Sequence, residues 1–156
     1  MNKIFKVGLI GCGHISETYF RGHDYFNNFQ IIKCADINLD NAKKCAETYG
    51  ITSCTVDDLL NDSEIEIVLN LTIPRAHYEV AKKSLDHGKH VYSEKPMAVN
   101  FEEGEELLKL ANSKSLYIGN APDTFLGGGI QKSIELINQD KIGNVRLGSA
   151  IFAYPG

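Results

Sequence analysis

No apolar run in this 156-residue chain approaches the roughly twenty residues that a membrane span needs, which excludes a membrane-spanning role. A signal peptide is missing as well: the N-terminus leads straight into a predicted strand, and the chain is expected in the cytoplasm. Basic excess is absent. Lys and Arg number 16 against 20 Asp and Glu, for a net charge of −4, and without a basic stripe there is nothing to attract nucleic acid. The four cysteines (Cys12, Cys34, Cys45 and Cys54) contain no Cys-x-x-Cys pair and fall in or beside predicted strands and helices. That favours buried free thiols over disulfides or a metal site. His23, His87 and His90 lack partner spacing for a metal and read as surface or strand-end residues. Repeats, low-complexity tracts and long linkers are also lacking. What remains is the composition of an ordinary acidic globular domain.

Apolar runs and helical patterns alternate along the chain, the signature of an α/β fold with a parallel sheet. Runs at Ile4 to Ile10, Phe29 to Ala35, Thr52 to Cys54, Glu66 to Thr72, His90 to Ser93 and Leu116 to Gly119 predict six strands. Between them, Ile15, Tyr19, Phe20 and Phe26 mark a first helix, and Leu39 to Tyr49 a second that ends at Gly50. Thr55 with Asp58 caps a brief third. Pro74 opens a helix carrying Ala76, Val80, Ala81 and Leu85, which Gly88 closes. Asn100 and Glu103 cap another, with Leu107, Leu108 and Ala111 on one face. The expected fold is a Rossmann-type doubly wound parallel sheet over residues 1–120. Over 121–156, Leu126, Ile130, Ile134 and Ile137 predict a connecting helix, Gly143 a turn, and Val145 to Tyr154 a strand. That last strand reads as the opening of a second α/β domain, or as one that pairs within the chain or with a partner subunit in a homo-oligomer.

The stretch Lys6-Val-Gly-Leu-Ile-Gly11-Cys-Gly13-His-Ile-Ser16 reads as a strand running into a glycine-rich turn and then a helix. Gly11 permits a tight turn and Gly13 lets the backbone approach a pyrophosphate, while Ser16 stands where a third glycine would allow close helix–strand packing. Free N–H groups at the start of the helix would hold phosphates. The cofactor-binding candidates here are Gly11, Cys12, Gly13, His14 and Ile15, although the His14 side chain itself is read as pointing to solvent or lying beside the cofactor. The second apolar run ends on Asp36, about twenty residues on, where an acid accepts hydrogen bonds from adenosine ribose hydroxyls. Asp36 also repels a 2′-phosphate and no Arg follows it directly. NAD is therefore favoured over NADP, with Lys43 and Lys44 weighing the other way. The competing interpretation is a ligand-free strand–turn–helix in which Asp36 caps the next loop.

Open parallel sheets place ligands at the carboxyl ends of their strands. Two clusters lie there: Asn70-Leu-Thr72-Ile-Pro74-Arg-Ala-His77 and Glu94-Lys95-Pro96. Oxidising an alcohol carbon requires hydride departure and proton loss from the hydroxyl. An amine whose ammonium form is destabilised by desolvation takes that proton, which makes Lys95 the catalytic candidate. Glu94 would hold the amine or contact the nicotinamide ribose, and Pro96 would fix the backbone, with a cis Lys95–Pro96 bond tolerated. The bland alternative is a solvated Glu–Lys pair in a loop, and for His77 it is packing on a helix surface.

Val7-Gly-Leu-Ile-Gly-Cys-Gly-His-Ile-Ser16, Asp36, Thr72-Ile-Pro-Arg-Ala-His77, Gly88-Lys-His-Val91 and Glu94-Lys-Pro96, in this order and spacing, resemble the N-terminal domain of the Gfo/Idh/MocA oxidoreductases. These are relatives of glucose-fructose oxidoreductase and inositol dehydrogenase. The resemblance implies NAD(P)-dependent oxidation or reduction of a sugar, cyclitol or related polyol. Lys95 matches the family's catalytic lysine, and Thr72, Pro74, His77 and Glu94 match cofactor-side positions. Family members normally add a C-terminal α/β domain that shapes the substrate pocket, supplies an Asp and a His, and often mediates oligomerisation. None of that lies in these residues, and one domain's length is short for a two-domain dehydrogenase, so turnover by this chain alone is not expected. The segment Asn120-Ala-Pro-Asp-Thr-Phe125 lacks the arginine-rich pattern common there, and Asp123 reads either as a substrate contact or as a cap or turn residue. Two other functions compete: a non-catalytic dinucleotide-binding or sensing module, and a methyltransferase, in which Glu94-Lys95-Pro96 would have no role.

Overall fold

The computed structural model describes residues 3–22, 25–122, 124–151 and 153; His23, Asp123, Phe152 and Tyr154 lie outside the described residues. The chain divides into two units, Met1–Ala121 and Pro122–Gly156.

The first unit is a six-stranded sheet, all parallel, in the order β3-β2-β1-β4-β5-β6. Its strands are β1 (Phe5–Ile10), β2 (Phe29–Ala35), β3 (Thr52–Cys54), β4 (Ile67–Asn70), β5 (His90–Ser93) and β6 (Ile118–Asn120). Strands this apolar must be covered on both faces, and alternation sorts their side chains. Val7, Leu9, Ile31 and Leu69 point one way, packing with Phe20 of α1 (Ser16–Arg21) and with Cys45 and Ala46 of α2 (Leu39–Tyr49). Ile10 and Val68 point the other way, onto Leu59 and Leu60 of α3 (Val56–Asn61). Beside them Val91 meets Ala81 and Leu85 of α4 (His77–Asp86) and Leu107 and Ala111 of α5 (Phe101–Ser113). Leu9, Leu59, Leu85 and Leu107 are fully buried, and each contributes about 2–3 kcal/mol of apolar transfer free energy. The doubly wound sheet is thereby established.

Helix boundaries follow local chemistry. Asn38 caps α2 by accepting from the Asp40 N–H, and Gly50 ends it in the left-handed conformation at φ 66°. Thr55 caps α3 by accepting from the Asp58 N–H at 3.1 Å. Asn100 caps α5 through the Glu103 N–H at 2.9 Å, and Glu103 returns the contact to the Val99 N–H at 3.3 Å. Pro74 opens a 3-10 turn, Pro74–Ala76, that runs into α4.

Three expectations are corrected. The first helix is shorter than its pattern, because it ends at Gly22, a poor helix former, and the exposed Phe26 instead contacts Phe29 at the start of β2. Leu126 belongs to a separate 3-10 turn, Thr124–Leu126, ahead of α6 (Gly128–Asn138). The strand expected over Val145 to Tyr154 is not formed among its described residues. The described part of the second unit contains no strand with which it could pair, and a lone strand gains no ladder hydrogen bonds.

Candidate functional site

Gly11 ends β1 with φ +101°, and a Cβ built on it would lie 2.6 Å from the carbonyl of Leu71. Only glycine meets both conditions, so the first glycine of the turn is dictated by the fold itself. Its N–H donates to the Ala35 carbonyl at 2.9 Å, tying the turn to the end of β2. Gly13 is different: a Cβ there would meet nothing within 4 Å, and Gly13, His14 and Ile15 are all exposed. The N–H groups of these three residues donate to nothing among the described residues. Ser16 is buried and donates its hydroxyl to the Gly13 carbonyl at 2.7 Å, so the hydroxyl that replaces a third glycine is satisfied locally.

Asp36 closes one side of this turn. Its carboxylate accepts from the Cys12 N–H and from the Asn38 N–H, each at 2.8 Å. A carboxylate offers about four lone-pair directions, so half its accepting capacity remains for a ligand. Ile37, the next residue, is wholly exposed. Cys12 turns its thiol inward to the Ala35 carbonyl at 3.6 Å, so only its backbone faces the turn's open side.

The carboxyl ends of β4 and β5 are joined by a buried polar network that the sequence reading did not single out. Asn70, fully buried, donates to the His77 carbonyl at 2.9 Å and to the Ser93 hydroxyl at 3.3 Å, while accepting from the Thr72 hydroxyl at 2.7 Å. His77 is fully buried too. Its Nε2 faces the Thr72 carbonyl at 2.9 Å and its Nδ1 the Pro96 carbonyl, so the ring fastens the loop after β4 to the loop after β5. Thr72, half-buried, and Pro74, exposed, stand above it. The Lys95–Pro96 bond is cis. Glu94 accepts from the Tyr19 hydroxyl at 2.9 Å and from the Lys95 N–H at 3.1 Å, and Asn120 donates to the Ser93 and Glu94 carbonyls at 2.9 and 2.8 Å. The Lys95 side chain is exposed, without the burial the sequence reading attached to it.

Two groups of residues thus share the carboxyl edge of the sheet. The turn from Gly11 to Ile15 is held to Asp36 through Cys12, and the Thr72–His77 and Glu94–Pro96 loops are held together through Asn70 and His77. The Tyr19–Glu94 bond connects α1 to the second group. A polar Asn ending an otherwise apolar strand was the sequence signal for Asn70; Tyr19 and Asn120 had none. What the arrangement offers is an open row of backbone donors, an adjacent carboxylate, and an exposed amine on the far side of the crevice where the strand order reverses between β1 and β4.

Residues 5–120 match the family model GFO_IDH_MocA, described as "Oxidoreductase family, NAD-binding Rossmann fold". The glucose-6-phosphate 3-dehydrogenase of Bacillus subtilis is 34% identical over 71% of this chain and 31% of its own length. A scyllo-inositol 2-dehydrogenase (NADP(+)) of the same organism is 32% identical over 72% of this chain and 32% of its own length. Among solved structures, the apo scyllo-inositol dehydrogenase of Lactobacillus casei superposes with a TM-score of 0.82 over 92% of this chain and 44% of that one; at 19% identity the likeness is one of fold. The chain spans about a third of the length of the curated relatives it matches. No helix among the described residues is long and apolar enough to cross a membrane.

Proposed function

The chain belongs to the Gfo/Idh/MocA oxidoreductase family, and from that premise we propose that it is the cofactor-binding part of an NAD-dependent dehydrogenase acting on a sugar, cyclitol or related polyol. The observation that carries this reading is the turn at Gly13, His14 and Ile15, with three N–H groups that donate to nothing among the described residues, no Cβ at Gly13, and Asp36 beside it. Backbone donors of this kind suit a pyrophosphate, and a carboxylate with spare acceptor sites suits two vicinal ribose hydroxyls. The same negative charge disfavours a 2′-phosphate, so NAD is preferred to NADP. Two of the relatives above are named for a sugar phosphate and an inositol, which supports a hydroxylated ring as the substrate class.

A bound nicotinamide would supply the hydride acceptor, and the chain's own residues would do the rest. Gly13, His14 and Ile15 bind the phosphates through their N–H groups. Asp36 fixes the adenosine ribose, and Thr72 and Pro74 border the crevice. Lys95 is the residue that would take the hydroxyl proton as the carbonyl product forms. Glu94 lies next to it and is oriented by Tyr19. His77 acts as a positioning residue, since its ring is buried and committed to two carbonyls. The four free cysteines suit a reducing compartment, and we assign the protein to the cytoplasm.

The exposure of Lys95 is the observation on the side of a non-catalytic dinucleotide-binding module. Lys95→Ala separates the two readings in the oxidoreductase that carries this chain. A dehydrogenase loses about 10²–10⁴-fold in hydride transfer with NADH affinity unchanged, whereas turnover at the wild-type level rejects the catalytic role.

A further inference from the structure

Cys12, Cys34 and Cys45 are separated by up to 33 positions in sequence, yet their sulfur atoms all lie within 4.8 Å of one another. The fold brings them together: Cys12 follows the end of β1, Cys34 lies in β2, and Cys45 is one turn from the end of α2, on the face that packs against both strands. Cys34 and Cys45 are buried and Cys12 is half-buried. None of the three thiols has a role in the proposed nucleotide site, where Cys12 contributes only its backbone.

We propose that these three thiols form a binding site for a thiophilic d10 cation of the zinc class. Thiolates bind such an ion at about 2.3 Å and stand about 3.8 Å apart in a tetrahedral complex, so a cluster already within 4.8 Å needs only side-chain rotation and small shifts to close on it. Access is provided by a cavity of about 200 Å³ lined by Cys12, Cys45, Ser16, Asn41 and Lys44. Through it a water reaches the fourth coordination position. Binding ionises the three S–H groups. The protons leave to solvent and each sulfur donates one electron pair to the cation, with no change of oxidation state. The resulting three-thiolate complex of a divalent ion carries one negative charge, which the ammonium of Lys44 in the same cavity offsets.

The Cys12 S–H donates to the Ala35 carbonyl at 3.6 Å and the Cys34 S–H to the Ala42 carbonyl at 3.3 Å, so the lone pairs of both sulfurs are left for a cation once the protons leave. Cys54, partly buried at the end of β3 and outside the cluster, is the internal control.

The test is an ultraviolet titration of the fully reduced, metal-free protein with Cd²⁺, followed by displacement with Zn²⁺. Expected is a thiolate-to-Cd²⁺ charge-transfer band that saturates at one equivalent with the intensity of three sulfur ligands. Cys54→Ser leaves the band intact, and Cys45→Ser removes about one third of it, one of three ligands. A folded wild-type protein that gives no saturable band, or a band that Cys54→Ser removes, overturns the site. Should Cys45→Ser not fold, the band intensity of the wild-type protein and the Cys54→Ser control decide between three ligands and fewer. Neither measurement involves a nucleotide, so failure here leaves the dinucleotide reading where it stands.

Discussion

At Gly11, φ is +101° and an added Cβ would sit 2.6 Å from the Leu71 carbonyl. Gly11→Ala therefore costs the fold about 2–4 kcal/mol, from left-handed backbone strain plus the clash, and denaturant unfolding measures it. Gly13→Ala fits the free protein, because nothing lies within 4 Å of its Cβ, and its cost falls on ligand affinity. Asp36 is the residue proposed to set cofactor selectivity. Asp36→Ala weakens NADH by about tenfold or more, the loss of one charged acceptor, while NADPH, relieved of repulsion, loses less. These residues were legible because their constraints are local: a turn, a strand end, a fixed spacing. Tyr19, Asn120 and the true setting of His77 were not. The hydrogen bond of Tyr19 goes to Glu94, 75 residues away, and His77 was placed on the cofactor side without sign that Thr72 and Pro96 would enclose its ring.

At the scale of elements, strands and caps agreed closely with the pattern, since apolar runs bounded by Gly, Pro, Asn and Thr leave few choices. β2, β3, α2 and β5 span the residues expected of them. What hydrophobic periodicity does not carry is the polar cross-linking of loops. Asn70 holds Thr72, His77 and Ser93 from a fully buried position. Asn70→Ala leaves several buried partners unsatisfied and costs about 2–4 kcal/mol, and it loosens the Lys95 loop, so both stability and nucleotide-dependent protection from proteolysis fall. Another cross-link joins β2 to the end of α3, where the Lys33 ammonium pairs with the Asp62 carboxylate. That hydrogen bond holds the Asp62 carboxyl below its usual range and Lys33 above its own. For a depressed carboxyl, the stabilisation is complete above its unfolded pKa and lost as pH falls through the folded one. The stability difference between wild type and Lys33→Met is thus flat at neutral pH and shrinks below about pH 4; a difference that grows on acidification contradicts the pairing.

For the molecule as a whole, the sheet order β3-β2-β1-β4-β5-β6 places the ends of β1 and β4 side by side with their crossovers running to opposite faces, leaving the crevice between them. Alternating element types point to a doubly wound parallel sheet, and the order of its strands is set by long-range pairing that the alternation does not carry. In the second unit the expected helix is present, and no strand is formed among the described residues of 145–154. Its exposed Ile130, Ile134 and Ile137 line one face of α6, and dilute protein is expected to self-associate in sedimentation; a strict monomer at all concentrations rejects this. The glycine turn and Asp36 are together proposed to hold a dinucleotide. Calorimetric titration of the folded chain with NADH and, separately, with NADPH tests this directly. The prediction is one NADH per chain, bound more tightly than NADPH. Preference for NADPH would contradict the role of Asp36, and a folded chain that binds neither would contradict the site itself.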